Sequence, residues 1–118
     1  MKRPHLVVEG NMGNFEEFKE GYPEFCEKIT EFDSFGSNSW AFVVNYGDQF
    51  DKTSQGSDLM DFLIEHYIEL AYLRENHAVE MSAVSYISDS HPAGMISFEP
   101  ETIGFCAGLS IQLQIIPA

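Results

Sequence analysis

The sequence predicts a two-layer α+β domain in which helices pack on one face of a mostly antiparallel sheet of about five strands. Apolar residues alternate with a period of two in several short segments, and they recur every three or four positions in two longer ones. Turn-forming residues separate these segments. The chain has 118 residues, of which 44% are hydrophobic, so it has enough apolar material for one core. We therefore expect a single domain over 1–118 with the element order β-α-β-α-β-β-α-β.

The first third of the chain predicts a strand followed by a helical region. Residues 6–9 begin with an apolar run, and the glycines and asparagines of 10–14 suit a turn. Over 15–32 the apolar residues recur at every third or fourth position, which is the helical period. Because Gly21 and Pro23 interrupt this stretch, we expect two short helices or one bent helix.

The middle of the chain predicts a second strand and the longest helix. Residues 33–38 have the composition of a loop, and 39–46 alternate as a strand does. The apolar residues on one face of this strand are Trp40, Phe42, Val44 and Tyr46. A polar loop at 47–56 leads to a helix over 58–75 with a broad apolar stripe. The residues of this stripe are Leu59, Met60, Leu63, Ile64, Tyr67, Ile68, Leu70, Ala71 and Leu73. The carboxylates that share its opposite, solvated face are Asp58, Asp61, Glu65 and Glu69.

The last third predicts a hairpin, a short helix and a final strand. Residues 78–88 have a strand pattern, 89–94 have the length of a hairpin connection, and 95–98 form the returning strand. A short helix over 100–106 begins at a proline, which the first helical position tolerates. Residues 109–116 show the clearest alternation of apolar and polar residues in the chain, which predicts a strand. Those that we expect to face inward are Leu109, Ile111, Leu113 and Ile115.

The charge of the chain excludes several classes of partner. There are 19 Asp and Glu against 6 Lys and Arg, which gives a formal net charge of −13. This excess repels phosphate backbones and anionic lipid, so we expect neither nucleic acid nor a membrane as a partner, and a basic protein as a suitable one. The N-terminus lacks the apolar run of a signal peptide, and no apolar run approaches the ~20 residues of a membrane span. We expect a cytoplasmic protein.

The histidines, cysteines and carboxylates of the chain do not form a known catalytic or metal-binding motif. The four histidines lack zinc-ligand spacing, and 51–62 lacks the final carboxylate of a calcium loop. Cys106 lies beside Phe105 and Ala107, which predicts a buried, inert thiol, and we expect Cys26 to be reduced as well. We expect no cofactor, no metal and no enzymatic activity. An enzyme of unrecognised chemistry is a further interpretation.

Two groups of carboxylates predict a surface for a basic partner. One lies on the first helical region and the other on the second helix, and helical spacing projects each group into a patch. Aromatic residues in adjoining loops are candidates for the apolar anchors of an interface. The residues that we expect to contact the partner are Glu24, Glu27, Glu31, Phe35, Phe50, Asp58, Asp61, Glu65 and Glu69. The alternative is that the acidity serves solubility alone.

Two resemblances suggest what such a surface does. From about 57 to 116 the chain resembles a family of small uncharacterised bacterial α/β proteins, in a long helix, a strand pair ending in SFEP, the short helix ETIGFCAG and the strand LSIQLQII. In size, acidity and lack of a catalytic motif the whole chain is similar to immunity proteins, which occlude the basic active site of a secreted bacterial toxin with acidic and aromatic residues. This resemblance implies an inhibitor of a toxin, most concretely a nuclease. An acidic regulatory module, including a phage-encoded nucleic-acid mimic that inhibits a host defence complex, is the alternative.

Overall fold

Five strands form one sheet, and five helices accompany them, in the part of the chain that the computed structural model describes: residues 3–10, 15–35, 39–47, 55–76, 78–87 and 98–117. The strands are β1 (His5–Gly10), β2 (Ile29–Phe35), β3 (Ser39–Asn45), β4 (Val79–Ile87) and β5 (Ile111–Pro117). The helices are α1 (Phe15–Gly21), α2 (Pro23–Cys26), α3 (Gln55–Glu65), α4 (Tyr67–Asn76) and α5 (Pro100–Gly108). The predicted α+β class is confirmed.

The sheet has the strand order β2-β3-β1-β4-β5. The pairs β2–β3, β3–β1 and β1–β4 are antiparallel, and β4–β5 is parallel. A parallel pair needs a crossover connection, and the segment between these two strands contains α5. The sheet is therefore mostly antiparallel, as predicted, and β2 and β5 are its edge strands among the strands described.

The core lies between the sheet and the helices. Val8 of β1 is opposite Phe42 of β3 and opposite Met81 of β4, and all three side chains are buried. Alternate residues of a strand face the same side of a sheet, so the central strands present one apolar face. The helix residues in the same buried cluster include Phe18, Phe25, Leu59, Leu63, Leu70 and Leu73. The helices thus cover the apolar face of the sheet.

The strand β2 is the main difference from the sequence prediction. The helical period predicted a helix to residue 32 and a loop over 33–38, but α2 ends at Cys26 and 29–35 form a strand. Phe32 lies directly opposite Phe42, so pairing with β3 decides the structure of this segment. Such pairing with the next strand overrides a local helical pattern. The helical prediction for 29–32 is wrong.

The long predicted helix consists of α3 and α4, which meet at His66. Helical hydrogen bonding continues through the junction, because the His66 N–H donates to the Phe62 carbonyl and the Leu70 N–H donates to the His66 carbonyl, both at 3.0 Å. The buried stripe is narrower than predicted. Three of its expected members, Ile64, Tyr67 and Ile68, are exposed.

The C-terminal third agrees with the prediction at β4, α5 and β5. The predicted connection 89–94 and residues 95–97 of the returning strand lie outside the described residues. On the final strand, Ile111 and Ile115 share one face, as predicted, but Ile111 is buried whereas Ile115 is exposed. Among the helices described, none is both long enough and apolar enough to cross a membrane.

Candidate functional site

An acidic surface extends from α2 along the edge strand β2. We call it the α2–β2 surface and define it by Glu24, Glu27, Glu31, Asp33 and Phe35. Pro23 begins α2, whose four residues carry one carboxylate, and Glu27 follows directly after the helix. The remaining three residues belong to β2. All five side chains are exposed.

The strand β2 is exposed along almost its whole length. After Ile29, which is half-buried, each remaining residue of the strand is exposed. Glu31, Asp33 and Phe35 pair with alternate residues of β3, which places them on the sheet face opposite to Phe32. The Phe32 ring lies on the helix side, 4.6 Å from the ring of Phe15. The two faces of β2 therefore differ: one contributes to packing, and the other presents acids and an aromatic ring.

Phe35 is the most distinctive apolar residue of the α2–β2 surface. Its side chain is 63% exposed, although it lies at the end of a strand beside two carboxylates. The sequence predicted a loop at this position, but Phe35 is the last residue of β2. An exposed aromatic ring next to charged groups is typical of an interface anchor.

The prediction that Glu24, Glu27 and Glu31 share one helix face is wrong in its geometry. Glu31 lies in β2, five residues after the last residue of α2. All three carboxylates are nevertheless exposed and close together in the chain. The short turn at Glu27 and Lys28 keeps α2 adjacent to the start of β2, so the three residues belong to two consecutive elements instead of one helix.

A contact between Lys28 and Glu65 joins the two predicted acidic groups. The Lys28 Nζ atom donates to Glu65 Oε1 at 3.2 Å and to His66 Nε2 at 2.9 Å. His66 is buried, with its ring centroid 5.2 Å from that of Phe25 and 4.9 Å from that of Phe62. This cluster fixes α2 against the α3–α4 helix, so the α2–β2 surface rests on the core.

The His66 ring lies between a cation and a carboxylate. Because an ammonium group has no acceptor, Nε2 accepts the hydrogen bond from Lys28. Nδ1 is 3.6 Å from Glu69 Oε1. The hydrogen bond from Lys28 holds the pKa of the Glu65 carboxyl below its usual range. His66 is therefore a packed histidine within a charged cluster.

The acidic residues of α3 face cations of their own chain. Asp58, Asp61 and Glu65 line a cavity of about 260 Å³ together with Arg3 and Lys28. Glu69, which was predicted on the same open face, is only half-exposed and lies against His66. Carboxylates near internal cations present less net charge to a partner. Glu31 of the α2–β2 surface also lines a cavity with Arg3, so internal cations lie near both acidic groups.

The last predicted contact residue, Phe50, lies outside the described residues.

A cavity of about 690 Å³ lies at the Phe35 end of β2. Its other lining residues include Glu9 and Glu80, which are directly opposite each other on β1 and β4, and Arg74, whose Nη1 donates to the Val79 carbonyl at 2.9 Å. Like charges opposite each other on paired strands are destabilising. The sequence does not predict this cavity, because its lining residues come from five separate segments of the chain. The only available signal was Arg74, an isolated cation in an acidic region.

The cysteines and possible metal ligands give no second site in the described ranges. Burial raises the pKa of the Cys106 thiol, and burial also raises that of Cys26, so both thiols favour the protonated form. Both are free cysteines. No group of three or more His, Cys, Asp or Glu residues within the described residues is placed to hold a metal ion.

Comparison with known proteins identifies a similar fold but no family. No protein-family model and no curated protein matches the sequence. Among solved structures, the crystal structure of MupZ from Pseudomonas fluorescens is similar, with a TM-score of 0.50. The match covers 97% of this chain and 90% of MupZ, at 12% sequence identity. At that identity the similarity concerns the fold alone.

Proposed function

We propose that this protein binds and inhibits a basic protein, most specifically as an immunity protein that blocks the nucleic-acid groove of a toxin nuclease. The observation that carries the proposal is the α2–β2 surface, where exposed carboxylates lie beside the exposed ring of Phe35. In this proposal the protein acts in the cytoplasm, where such a toxin reaches nucleic acid.

The electrostatics of the chain support a basic partner. A nuclease groove must attract phosphates, so it carries Lys and Arg side chains that carboxylates can contact in place of phosphates. A net charge of −13 steers such a partner from a distance and raises the association rate. It also repels nucleic acid itself, so the inhibitor does not compete for the substrate of the enzyme.

The geometry of β2 supports a protein partner more than a small molecule. An edge strand presents backbone N–H and C=O groups that an extended segment of another chain can pair with. Glu31, Asp33 and Phe35 alternate along it, which matches the side-chain spacing of an added strand. Main-chain pairing would supply affinity, and the alternating acids would select a basic sequence.

A nucleic-acid mimic that inhibits a host defence complex is the second candidate. The observation that favours it is the charge of α1, where Glu16, Glu17 and Glu20 extend the negative surface beyond α2. A mimic needs charge spread over a long surface, whereas an immunity protein needs it at one patch.

Co-expression with the product of the neighbouring gene tests the proposal. We expect that product to be a basic nuclease, that this protein restores growth of the cells that express it, and that the purified proteins form a stable complex without nuclease activity. The proposal fails if no complex forms or if the complex retains full nuclease activity.

Two matched variants separate the candidates. The first variant removes three charges from the α2–β2 surface by combining Glu24→Gln, Glu27→Gln and Glu31→Gln. The second variant, its control, removes three exposed charges elsewhere by combining Glu17→Gln, Glu75→Gln and Glu99→Gln. We expect only the first combination to reduce protection. Equal losses from both would favour a mimic, in which the whole charge matters.

A further inference from the structure

A polar cavity lies on the outward face of the sheet, the face opposite to the helices. Its volume is about 440 Å³, and its lining residues come from the adjacent strands β2, β3, β1 and β4 and from the segment that precedes β1. Sites for small molecules commonly have volumes of about 300–1,000 Å³. We call this the outer-face cavity.

The strand register places the lining side chains on one face of the sheet. Asn45 of β3 is directly opposite His5 of β1, and Glu31 of β2 is directly opposite Val43 of β3. The pairing of β1 with β4 puts Tyr86 on the same face as His5. The alternate residues of β1 and β3 are buried in the core, so this face lies away from the helices.

The His5 ring is held by two contacts. Its Nδ1 atom is 2.8 Å from the Arg3 carbonyl, and because a carbonyl group only accepts, Nδ1 is the donor. The centroid of the ring is 5.9 Å from that of Tyr86, which is buried. Nε2 is therefore the ring atom left for a ligand, and the imidazole is oriented before a ligand binds.

The β2 side of the cavity contains an irregularity in strand pairing. The register of β2 against β3 shifts between Ile29 and Glu31, and the Thr30 hydroxyl donates to the Val43 carbonyl at 3.2 Å. Such bulges redirect side chains and are frequent next to active sites. Thr30 and Glu31, which are consecutive in the chain, both line the cavity.

Opposite charges lie at two sides of the outer-face cavity. Glu31 lies on β2, Val43 on β3, and Arg3 just before β1, so a carboxylate, an apolar side chain and a guanidinium follow one another across the sheet. The strands β2 and β1 are two strand spacings, about 10 Å, apart. Within the described part of the chain, neither Arg3 nor Glu31 forms an ion pair. Both charges can therefore contact a ligand.

The charges select the class of ligand. The net charge of −13 repels an anion, and the guanidinium of Arg3 repels a cation inside the cavity. A zwitterion has no net charge and can contact both Arg3 and Glu31. Because Val43 lies on the strand between them, the two charges of the ligand should be separated by a short apolar chain.

We propose that the outer-face cavity binds an ω-amino carboxylate, with its ammonium group at Glu31, its methylene chain on Val43 and its carboxylate at Arg3. A guanidinium binds a carboxylate through two parallel hydrogen bonds. His5 Nε2 and the Asn45 amide can add further hydrogen bonds. This site goes beyond the proposed inhibitor function and does not depend on it.

Titration of the full chain with ε-aminocaproate tests this proposal. Caproate and hexylamine are its controls, because each has a chain of the same length and only one of the two charges. We expect ε-aminocaproate to shift the amide resonances of the residues that line the cavity. Each control should bind at least about tenfold more weakly, since each lacks one charge-assisted contact.

Three variants locate the binding. Glu31→Gln and, separately, Arg3→Gln should each weaken the affinity for ε-aminocaproate about tenfold. Asp33→Asn is the matched control for Glu31→Gln, because Asp33 is the next exposed carboxylate on the same face of β2 and does not line the cavity. It should leave the affinity unchanged. In the Glu31→Gln variant, ε-aminocaproate and caproate should bind equally, because the contact that distinguishes them is removed.

Several results would overturn the proposal. They are the absence of any resonance shift, shifts confined to residues outside the outer face, and equal binding of ε-aminocaproate and its two controls. Equal effects of Glu31→Gln and Asp33→Asn would also contradict it, because attraction to the charge of β2 would then explain the binding. The titration contains no basic protein, so it can succeed or fail whatever the outcome of the nuclease experiment.

Discussion

The neighbouring strands β2 and β3 have the same length and opposite environments. Each has seven residues, and Phe32 of one lies directly opposite Phe42 of the other. In β3 the side chains alternate between half-buried and buried, whereas in β2 each residue after Ile29 is exposed. The difference arises from position, because β3 lies between two strands under the helices and β2 lies at the edge. The interior strand stabilises the fold, and the edge strand is available for recognition.

Aromatic contacts show the same contrast. Phe42 packs against the rings of Phe18, Phe25 and Trp40, with centroid distances of 6.4, 6.0 and 5.8 Å. Phe35, four positions from the start of the next strand, is mostly exposed. Two residues of one type on paired strands therefore contribute very differently to stability.

The largest expected effect comes from Phe42→Ala. Removal of this buried ring leaves a cavity in the core, so we expect the free energy of unfolding to fall by about 3–5 kcal/mol. Phe35→Ala is the matched control and should change it by less than about 0.5 kcal/mol. Urea denaturation of both variants measures the difference. Equal losses would contradict the assignment of one strand to the core and the other to the surface.

The end of β3 should make the protein sensitive to alkali. Tyr46, the next residue, is buried and donates a hydrogen bond to the Val84 carbonyl at 3.0 Å, and its hydroxyl also contacts that of Ser85. Burial raises its pKa from 10.0 to about 12, with the Ser85 hydrogen bond opposing the shift. The folded state therefore retains a proton that the unfolded state loses above pH 10.0.

This linkage predicts a loss of about 2–3 kcal/mol of stability as the pH rises through the interval between the two pKa values. The contribution is fully present below pH 10.0, and the loss is complete above about pH 12. Tyr46→Phe should be less stable at neutral pH, because Ser85 loses its partner, but should show a smaller alkaline loss. Identical pH profiles for the two proteins would show that Tyr46 is not the group responsible.

A smaller loss of stability is expected from a substitution on the inner face of β2. Phe32 is partly exposed but contacts the ring of Phe15, so Phe32→Ala should cost about 1–2 kcal/mol. Urea denaturation measures the three variants together. A loss for Phe32→Ala that lies between the losses for Phe42→Ala and Phe35→Ala would place the boundary of the core within β2. A loss as large as that of Phe42→Ala would mean that the edge strand is a core element.

The sequence was sufficient to predict the strands and helices that have a periodic pattern of burial or a clear start signal. The side chains of β3 alternate between half-buried and buried, and the proline at the start of α5 marks that helix. The strand β2 lacks this signal. Phe25, Ile29 and Phe32 have helical spacing, and only pairing with the next strand, β3, makes a strand of the last two.

The candidate surfaces were also predictable only in part, because residue type indicates exposure but does not indicate which segments meet in the fold. Charge alone predicts that Glu24 and Glu27 are exposed, but the contact that joins them to the α3 group links Lys28 to Glu65, 37 residues later. Residue type alone also placed Ile64 and Ile68 in the buried stripe. Their exposure depends on where the helix lies on the sheet, and a periodic pattern does not contain that information.

The central claim is that the α2–β2 surface recognises a basic partner. The most direct test is the association rate constant with the nuclease obtained by co-expression, measured by stopped flow from low to high salt. We expect the rate to fall steeply as salt screens the field, with little change in dissociation. Two triple variants are compared: Glu24→Gln, Glu27→Gln and Glu31→Gln on the α2–β2 surface, and the control Glu17→Gln, Glu75→Gln and Glu99→Gln elsewhere. The α2–β2 variant should associate more slowly at low salt than the control, and its association rate should depend less on salt. Association that is insensitive to salt, or equally slowed in both variants, would contradict the claim.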